Sequence, residues 1–287
     1  MAFNFQIFKT RALTAIVFAA VMLGGLFINT WSYFFLFTLI HFGCWYEFQK
    51  LITIIFPAYK KTTFIQKIIY PLCGFILMLW VAGLLNGVSY VQDKYTFYGM
   101  IFLIMILSAI LFYKKSGVKI IAVSLAGFIY ISIPIACMIS FRFSGNYFAG
   151  TNFNFDMGLF IPVLLIATIW INDTMAYIVG SLIGKTPLTK ISPKKTWEGT
   201  IGGALLAVAG VSMAAYYLFK ADIFSMLIFT FIAVIFATFG DLFESKIKRL
   251  AQVKDSGKFL PGHGGFLDRF DSLLFAAPVI WVLMQLL

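Results

Sequence analysis

The chain alternates long apolar runs with short polar gaps. Runs of roughly the 20 residues that a helix needs to cross a hydrocarbon layer about 30 Å thick occur at about 12–28, 31–47, 68–88, 97–113, 119–140, 157–180, 199–219, 223–243 and 272–287. The alternation expected of a membrane β-barrel is absent from them. Backbone N–H and C=O groups in lipid must pair within the protein, so each run is predicted to be a helix. Pro278 falls inside the last and shortest run; a membrane helix tolerates it where neighbours satisfy the freed carbonyl. The pattern predicts an all-α, polytopic integral membrane protein with about nine transmembrane helices.

Composition removes the alternatives. Hydrophobic residues make up 61% of the 287, and charged residues only 11%, against about 25% in a soluble domain. A soluble globular domain, a disordered chain and a collagen-like chain are all excluded. The formal net charge of +11 would suggest nucleic acid in a soluble protein. Here the bases sit in gaps between apolar runs, so no nucleic-acid partner is expected. Such bases suit cytoplasmic loops, anionic lipid headgroups or nucleotide phosphates.

Of the 22 Lys and Arg residues, all but Lys94, Arg142 and Lys220 precede the first run or lie in alternate gaps. The positive-inside rule then puts the N-terminus in the cytoplasm and the C-terminus outside, with an odd number of spans. The first run is followed by Asn29-Thr30-Trp31 rather than a small-residue cleavage site, so it reads as a retained span. Cys44, Cys73 and Cys137 lie within apolar runs without a CxxC pair and read as small core residues. With no repeat or linker visible, one membrane-embedded domain is expected over 1–287. Residues 1–156 form its N-terminal helical half and 157–287 carry most of its polar chemistry.

Acidic residues are few and unevenly placed. Glu47, Asp93, Asp156 and Asp222 are scattered, whereas Asp173, Glu198, Asp241, Glu244, Asp255, Asp268 and Asp271 fall in or beside the last two predicted cytoplasmic gaps. Asp173 lies within an apolar span, where a charge costs at least about 2.5–3.5 kcal/mol at mid-bilayer. At 1.5 Å per residue it sits roughly 24 Å from the outer end of its span, and Asp241 roughly 27 Å from the outer end of its own. Asp268 and Asp271 immediately precede a span that begins at the cytoplasmic face. The topology therefore predicts that Asp173, Asp241, Asp268 and Asp271 converge near the cytoplasmic boundary. Asp241, Glu244, Ser245 and Lys248 share one helical face, as do Asp268 and Asp271. Asp173, Tyr177, Gly180 and Gly184 form a further stripe whose small residues permit close helix approach. Taken alone, each stripe reads equally well as helix packing with snorkelling charges.

Carboxylates without Cys or His clusters favour hard cations such as Mg²⁺. Phosphate-binding groups stand nearby in sequence. Ser192 to Gly199 places Lys194, Lys195 and two hydroxyls just before a helix start, where anions bind. Lys248, Arg249 and Lys254 add cations, and Gly262-His263-Gly264-Gly265 is a turn whose amides could approach an anion closely. His263 alone reads more simply as a hydrogen-bonding loop residue than as a base. Trp197 reads equally as an interfacial anchor or a base-stacking ring. No GxxxxGK[ST] loop is present. Together these groups suggest metal-assisted chemistry on phosphates.

The stretch from Ser245 to Asp271, SKIKRLAQVKDSGKFLPGHGGFLDRFD, resembles the signature of phosphatidate cytidylyltransferases (CDP-diacylglycerol synthases), S-x-x-K-R-x4-K-D…P-x-H-G-G-x-x-D-R-x-D. Asn172 to Tyr177, Ser192 to Gly199 and Gly240 to Ser245 are similar to other segments of that family, so the resemblance runs from about Asp173 to Asp271. The N-terminal half resembles the family only in being multispanning.

The resemblance implies a multi-pass enzyme of the cytoplasmic (inner) membrane, often dimeric, with its site open to the cytoplasm. It would convert CTP and phosphatidic acid into CDP-diacylglycerol and pyrophosphate, with Mg²⁺ and a second cation, K⁺. Carried over residue by residue, Asp241 and Asp268 are the principal metal ligands, with Glu244 and Asp271 as further ligands or orienting groups. Lys248 and Arg249 hold phosphates, and Ser245 joins the catalytic set. Lys194, Lys195, Trp197 and Glu198 frame the nucleotide, Asp173 supports the site or binds metal, and Lys254, His263 and Arg269 contact substrate. Two rival readings are a CTP-dependent polyprenol or lipid kinase, which the full signature disfavours, and a secondary transporter of an anionic solute, which would show an inverted repeat more readily than this chain does.

Overall fold

The computed structural model describes residues 5–85, 99, 102, 104–106, 117–143, 156–259 and 264–286. Its long helices are α1 (Phe5–Phe27), α2 (Thr30–Ile55), α3 (Phe64–Val81), α4 (Gly117–Phe143), α5 (Met157–Ile183), α6 (Trp197–Phe219), α7 (Ile223–Leu250) and α8 (Leu267–Leu286). Among the described residues no strand is present beyond an isolated bridge between Pro187 and Thr196. Helices α3, α4, α6, α7 and residues Gly158–Ile183 of α5 are long and apolar enough to cross a membrane. The described part of the chain is thus all-helical and compatible with a polytopic membrane protein. The predicted run at 97–113 lies largely outside the described residues. Where an apolar run was predicted to end near 243, α7 continues to Leu250. Hydropathy marks where lipid ends, not where the helix does, and Glu244 and Lys248 pair across one turn of this polar extension.

The described chain forms two compact units: Met1–Ser144 with Leu250–Arg269, and Gly145–Arg249 with Phe270–Leu287. In the first, α1 and α2 meet through a capped turn. Asn29 accepts from the Ser32 amide at 2.8 Å, and Ser32 Oγ accepts from the Asn29 amide at 3.0 Å. Thr63 and Gln66 cap α3 in the same way. The core of this unit holds Tyr33, Phe37, Ile40, Trp45, Met78, Ile131, Ile135 and Met138, each 2% exposed or less.

A polar knot is set into that core. Ser132 Oγ accepts from Trp45 Nε1 and lies against His41 Nε2, both at 3.0 Å. Ser132 closes a π-helical turn over Phe128–Ser132. Pro134 follows two residues later; it lacks an N–H, and its ring presses on the carbonyl four residues back. Widening α4 to a π-turn accommodates both effects.

In the second unit, α5 and α6 pack through small residues. A Cβ at Gly203 would overlap the backbone of Ala176, and one at Gly199 would lie 2.8 Å from Gly180 Cα. Such positions let two helix backbones approach closely in lipid. Lys220 ends α6 in the left-handed conformation, φ 56°. Asp222 then caps α7 by accepting from the Ser225 amide at 2.8 Å. The hydroxyls of Ser212 on α6 and Thr230 on α7 pair at 2.9 Å in the apolar interior.

Candidate active site

The C-terminal half of α7 carries Asp241, Glu244, Ser245 and Lys248 at helical spacing on one face. One carboxylate oxygen from each of Asp241, Glu244 and the α8 residue Asp271 lies within 4.8 Å of the others. Glu244 and Asp271 are buried, at 1% and 8% exposure, and Asp241 is half-buried. Asp271 Oδ1 also accepts from the Ser272 amide at 2.6 Å.

Two lysines balance part of this charge. Lys248 pairs with Glu244, and Lys195 pairs with Asp241. Burial pulls the Lys195 pKa down from its ordinary value, against the raising influence of Asp173 and Asp271. Asp173 therefore belongs to the same electrostatic neighbourhood. Four carboxylates face two ammonium groups there, which leaves an acidic excess.

Lys195 is brought to the acids by a compact loop between α5 and α6. Leu188 donates to the Lys195 carbonyl at 2.7 Å, and Trp197 donates to the Thr186 carbonyl at 2.9 Å. Thr196 caps α6 by accepting from the Gly199 amide at 3.1 Å. Glu198, expected to frame a nucleotide, accepts from the Lys185 and Thr186 amides at 3.2 Å and so staples the loop. Arg249 Nε donates to the Ile191 carbonyl at 3.2 Å. Ser245 is buried, while Lys194, Trp197 and Arg249 are exposed.

The rest of the signature lies in the first unit. Asp268 opens α8, where its Oδ2 accepts from the Ser256 and Gly265 amides at 2.9 and 2.7 Å. Lys254 and Arg269 are exposed, and His263 lies outside the described residues. Of the four aspartates expected to converge, Asp241 and Asp271 meet directly. Glu244 completes their set, and Asp173 joins through Lys195. Asp268 is the residue whose carboxylate is engaged by its own loop.

Sequence reasoning passed over Glu47. It sits on α2 at 3% exposure and accepts from Ser256 Oγ at 2.6 Å and the Leu267 amide at 3.0 Å. The one signal it offered was a carboxylate at the edge of an apolar run, where burial is costly.

Known proteins share much of this sequence. The chain is 46% identical over 139 residues to a phosphatidate cytidylyltransferase of Synechocystis sp., covering 47% of this chain and 46% of that protein. A Helicobacter pylori phosphatidate cytidylyltransferase is 43% identical over 132 residues, covering 46% of this chain and 50% of the relative. One from Staphylococcus haemolyticus is 42% identical over 153 residues, covering 52% and 58% respectively. The matched region thus spans about half the length of these curated relatives. The sequence model of the Cytidylyltransferase family matches far more, residues 9–287, and with that match the chain belongs to the cytidylyltransferase family.

Proposed function

We propose that the protein is a phosphatidate cytidylyltransferase, forming CDP-diacylglycerol and pyrophosphate from CTP and phosphatidic acid. We place it in the cytoplasmic (inner) membrane with about nine spans, the N-terminus and the site on the cytoplasmic side. The observation that carries the reading is the cluster of Asp241, Glu244 and Asp271 with Lys195 and Lys248 against it. An oxygen-only donor set with acidic excess fits Mg²⁺, which such sites bind through one or two carboxylates plus substrate phosphates. Asp241, Glu244 and Asp271 would hold it, and a second cation, K⁺, suits the same donors. The bound ion would supply neutralisation of the polyphosphate charge.

The chain's own residues do the rest. The nucleophile is a lipid phosphate oxygen, already anionic, so no activating base is needed. It attacks the α-phosphorus of CTP, the bond to the β-phosphate breaks, and pyrophosphate leaves. Two polyanions must be brought together, so positioning and charge compensation dominate the barrier. Lys195 and Lys248, tethered to Asp241 and Glu244, are preset to receive phosphate oxygens. Arg249 offers a planar fork for bidentate contact.

The test supplies radiolabelled CTP and phosphatidic acid to the purified protein with and without Mg²⁺. Cation-dependent release of pyrophosphate with CDP-diacylglycerol is expected. Transfer of the γ-phosphoryl group to a lipid alcohol, or no turnover, overturns the reading.

A further inference from the structure

Glu47 has no part in the chemistry above, yet it is the most deeply buried acid of the first unit's described residues. Its carboxylate fills a specific space. A Cβ added at Gly257 or at Gly265 would overlap it, so at these two glycines of the signature segment the backbone rides directly on Glu47. Oε2 accepts from Ser256 Oγ at 2.6 Å and from the Leu267 amide at 3.0 Å. Those two donors bracket the loop that ends at α8.

Ser256 ties this anchor to Asp268. Its hydroxyl has one hydrogen, and the shorter contact directs it to Glu47; its amide donates to Asp268 Oδ2 at 2.9 Å. The Gly265 amide donates to the same oxygen at 2.7 Å. Gly264 turns at φ 85°, where a side chain would be strained and a Cβ would lie 2.6 Å from Asp268 Oδ2. Gly264 and Gly265 thus lie close to an anion that is the protein's own carboxylate.

We propose that Glu47 is a positioning residue for the signature segment: its carboxylate, seated under Gly257 and Gly265 and accepting from Ser256 and Leu267, fixes these residues and through them the orientation of Asp268. The catalytic part of this inference rests on the cytidylyltransferase reading. An outer group that orients an active-site residue commonly contributes 10–100-fold to metal affinity or activity.

The experiment compares Glu47→Leu with Glu47→Gln in the full chain, purified in detergent. Leu keeps the volume beneath the glycines but deletes the acceptor; Gln keeps an acceptor oxygen in the same place. Hydrogen exchange at the Ser256, Gly265 and Leu267 amides is followed beside kcat and the Mg²⁺ concentration for half-maximal rate. In Glu47→Leu, exchange at these amides should speed at least about tenfold, the scale of one lost buried hydrogen bond, while α5 and α6 stay protected. Its kcat should fall, or its Mg²⁺ requirement rise, by about 10–100-fold, and Glu47→Gln should stay close to wild type in every readout. Unchanged exchange in Glu47→Leu overturns the proposal, as does faster exchange with unaltered turnover, or a Gln variant as impaired as the Leu variant. A wild-type protein that makes no CDP-diacylglycerol would sink the functional reading instead, and the exchange comparison would still decide whether Glu47 anchors the segment.

Discussion

Gly240 of α7 lies so close to the backbone carbonyl of Asp271 on α8 that a Cβ at position 240 would overlap that oxygen, with Ser272 Cα only 3.0 Å away. The closeness sets the distance between Asp241 and Asp271, which adjoin the contact on either side. Gly240→Ala would gain up to about 1 kcal/mol of helix propensity. Against that, the overlapped atom is backbone and cannot rotate away, and overpacking costs about 1–3 kcal/mol. The variant should unfold at lower temperature in detergent and lose more activity than the unfolded fraction accounts for, because α8 must shift. Wild-type kcat in Gly240→Ala would show that the carboxylate spacing is not critical.

Neutralising the acids without changing their shape isolates their charge. Asp241→Asn, Glu244→Gln and Asp271→Asn should each lower turnover by about 10²–10³, the usual scale for removing one preorganised electrostatic contact. Folding and membrane insertion should persist, since the clustered like charges do not favour the folded state. Chelating divalent cations should abolish wild-type activity, and added Mg²⁺ should restore it. The decisive measurement is the rate as a function of Mg²⁺ concentration; a neutral Asp241 variant with an unaltered curve would remove Asp241 from the cation site.

Glu198 separates two roles that its position in the sequence leaves merged. If it acts by stapling the loop, the requirement is for an acceptor oxygen facing the Lys185 and Thr186 amides. Glu198→Gln retains one acceptor oxygen and should keep most activity. Glu198→Ala leaves both amides open, loosens the segment that delivers Lys195, and should raise KM for CTP while lowering kcat. Equal loss in the two variants would indicate a need for the charge itself.

Helical periodicity and hydropathy were enough to place α1 to α8, with ends displaced by up to eight residues, because lipid forbids other backbone arrangements. The α7 face was equally legible, since Asp241, Glu244 and Lys248 are fixed by helix geometry alone. Partnering was not. Depth arithmetic brings Asp271 to the level of Asp241, but only the fold shows that Asp271 and Glu244 place carboxylate oxygens within 4.8 Å of it. Glu47 was invisible for a different reason. It stands 209 residues from Ser256, and only the folded chain shows that Gly257 and Gly265 leave room for its carboxylate. The segment Leu250–Arg269 belongs to the same compact unit as the N-terminal helices, which no local pattern announces.

The knot at Ser132 offers a stability test remote from the acids. Ser132 Oγ is the acceptor for Trp45 Nε1–H, and Trp45 is 2% exposed. Ser132→Ala leaves that donor and His41 Nε2 without this partner in an apolar interior, where an unsatisfied polar group costs about 1–3 kcal/mol. Interhelical hydrogen bonds in membranes average nearer 0.6 kcal/mol, because the unfolded chain in lipid also finds partners. A loss of about 1 kcal/mol is therefore expected, read as a modest drop in the thermal midpoint in detergent, with kcat retained below the transition. Gly74→Ala should cost more, since its Cβ would press on Ser132 Cβ at 2.6 Å and His41 Nε2 at 2.7 Å. The double variant Gly74→Ala with Ser132→Ala should recover part of that loss, because removing the hydroxyl makes room for the new methyl. Strict additivity of the two changes would mean that the knot is not the packing unit that its geometry describes.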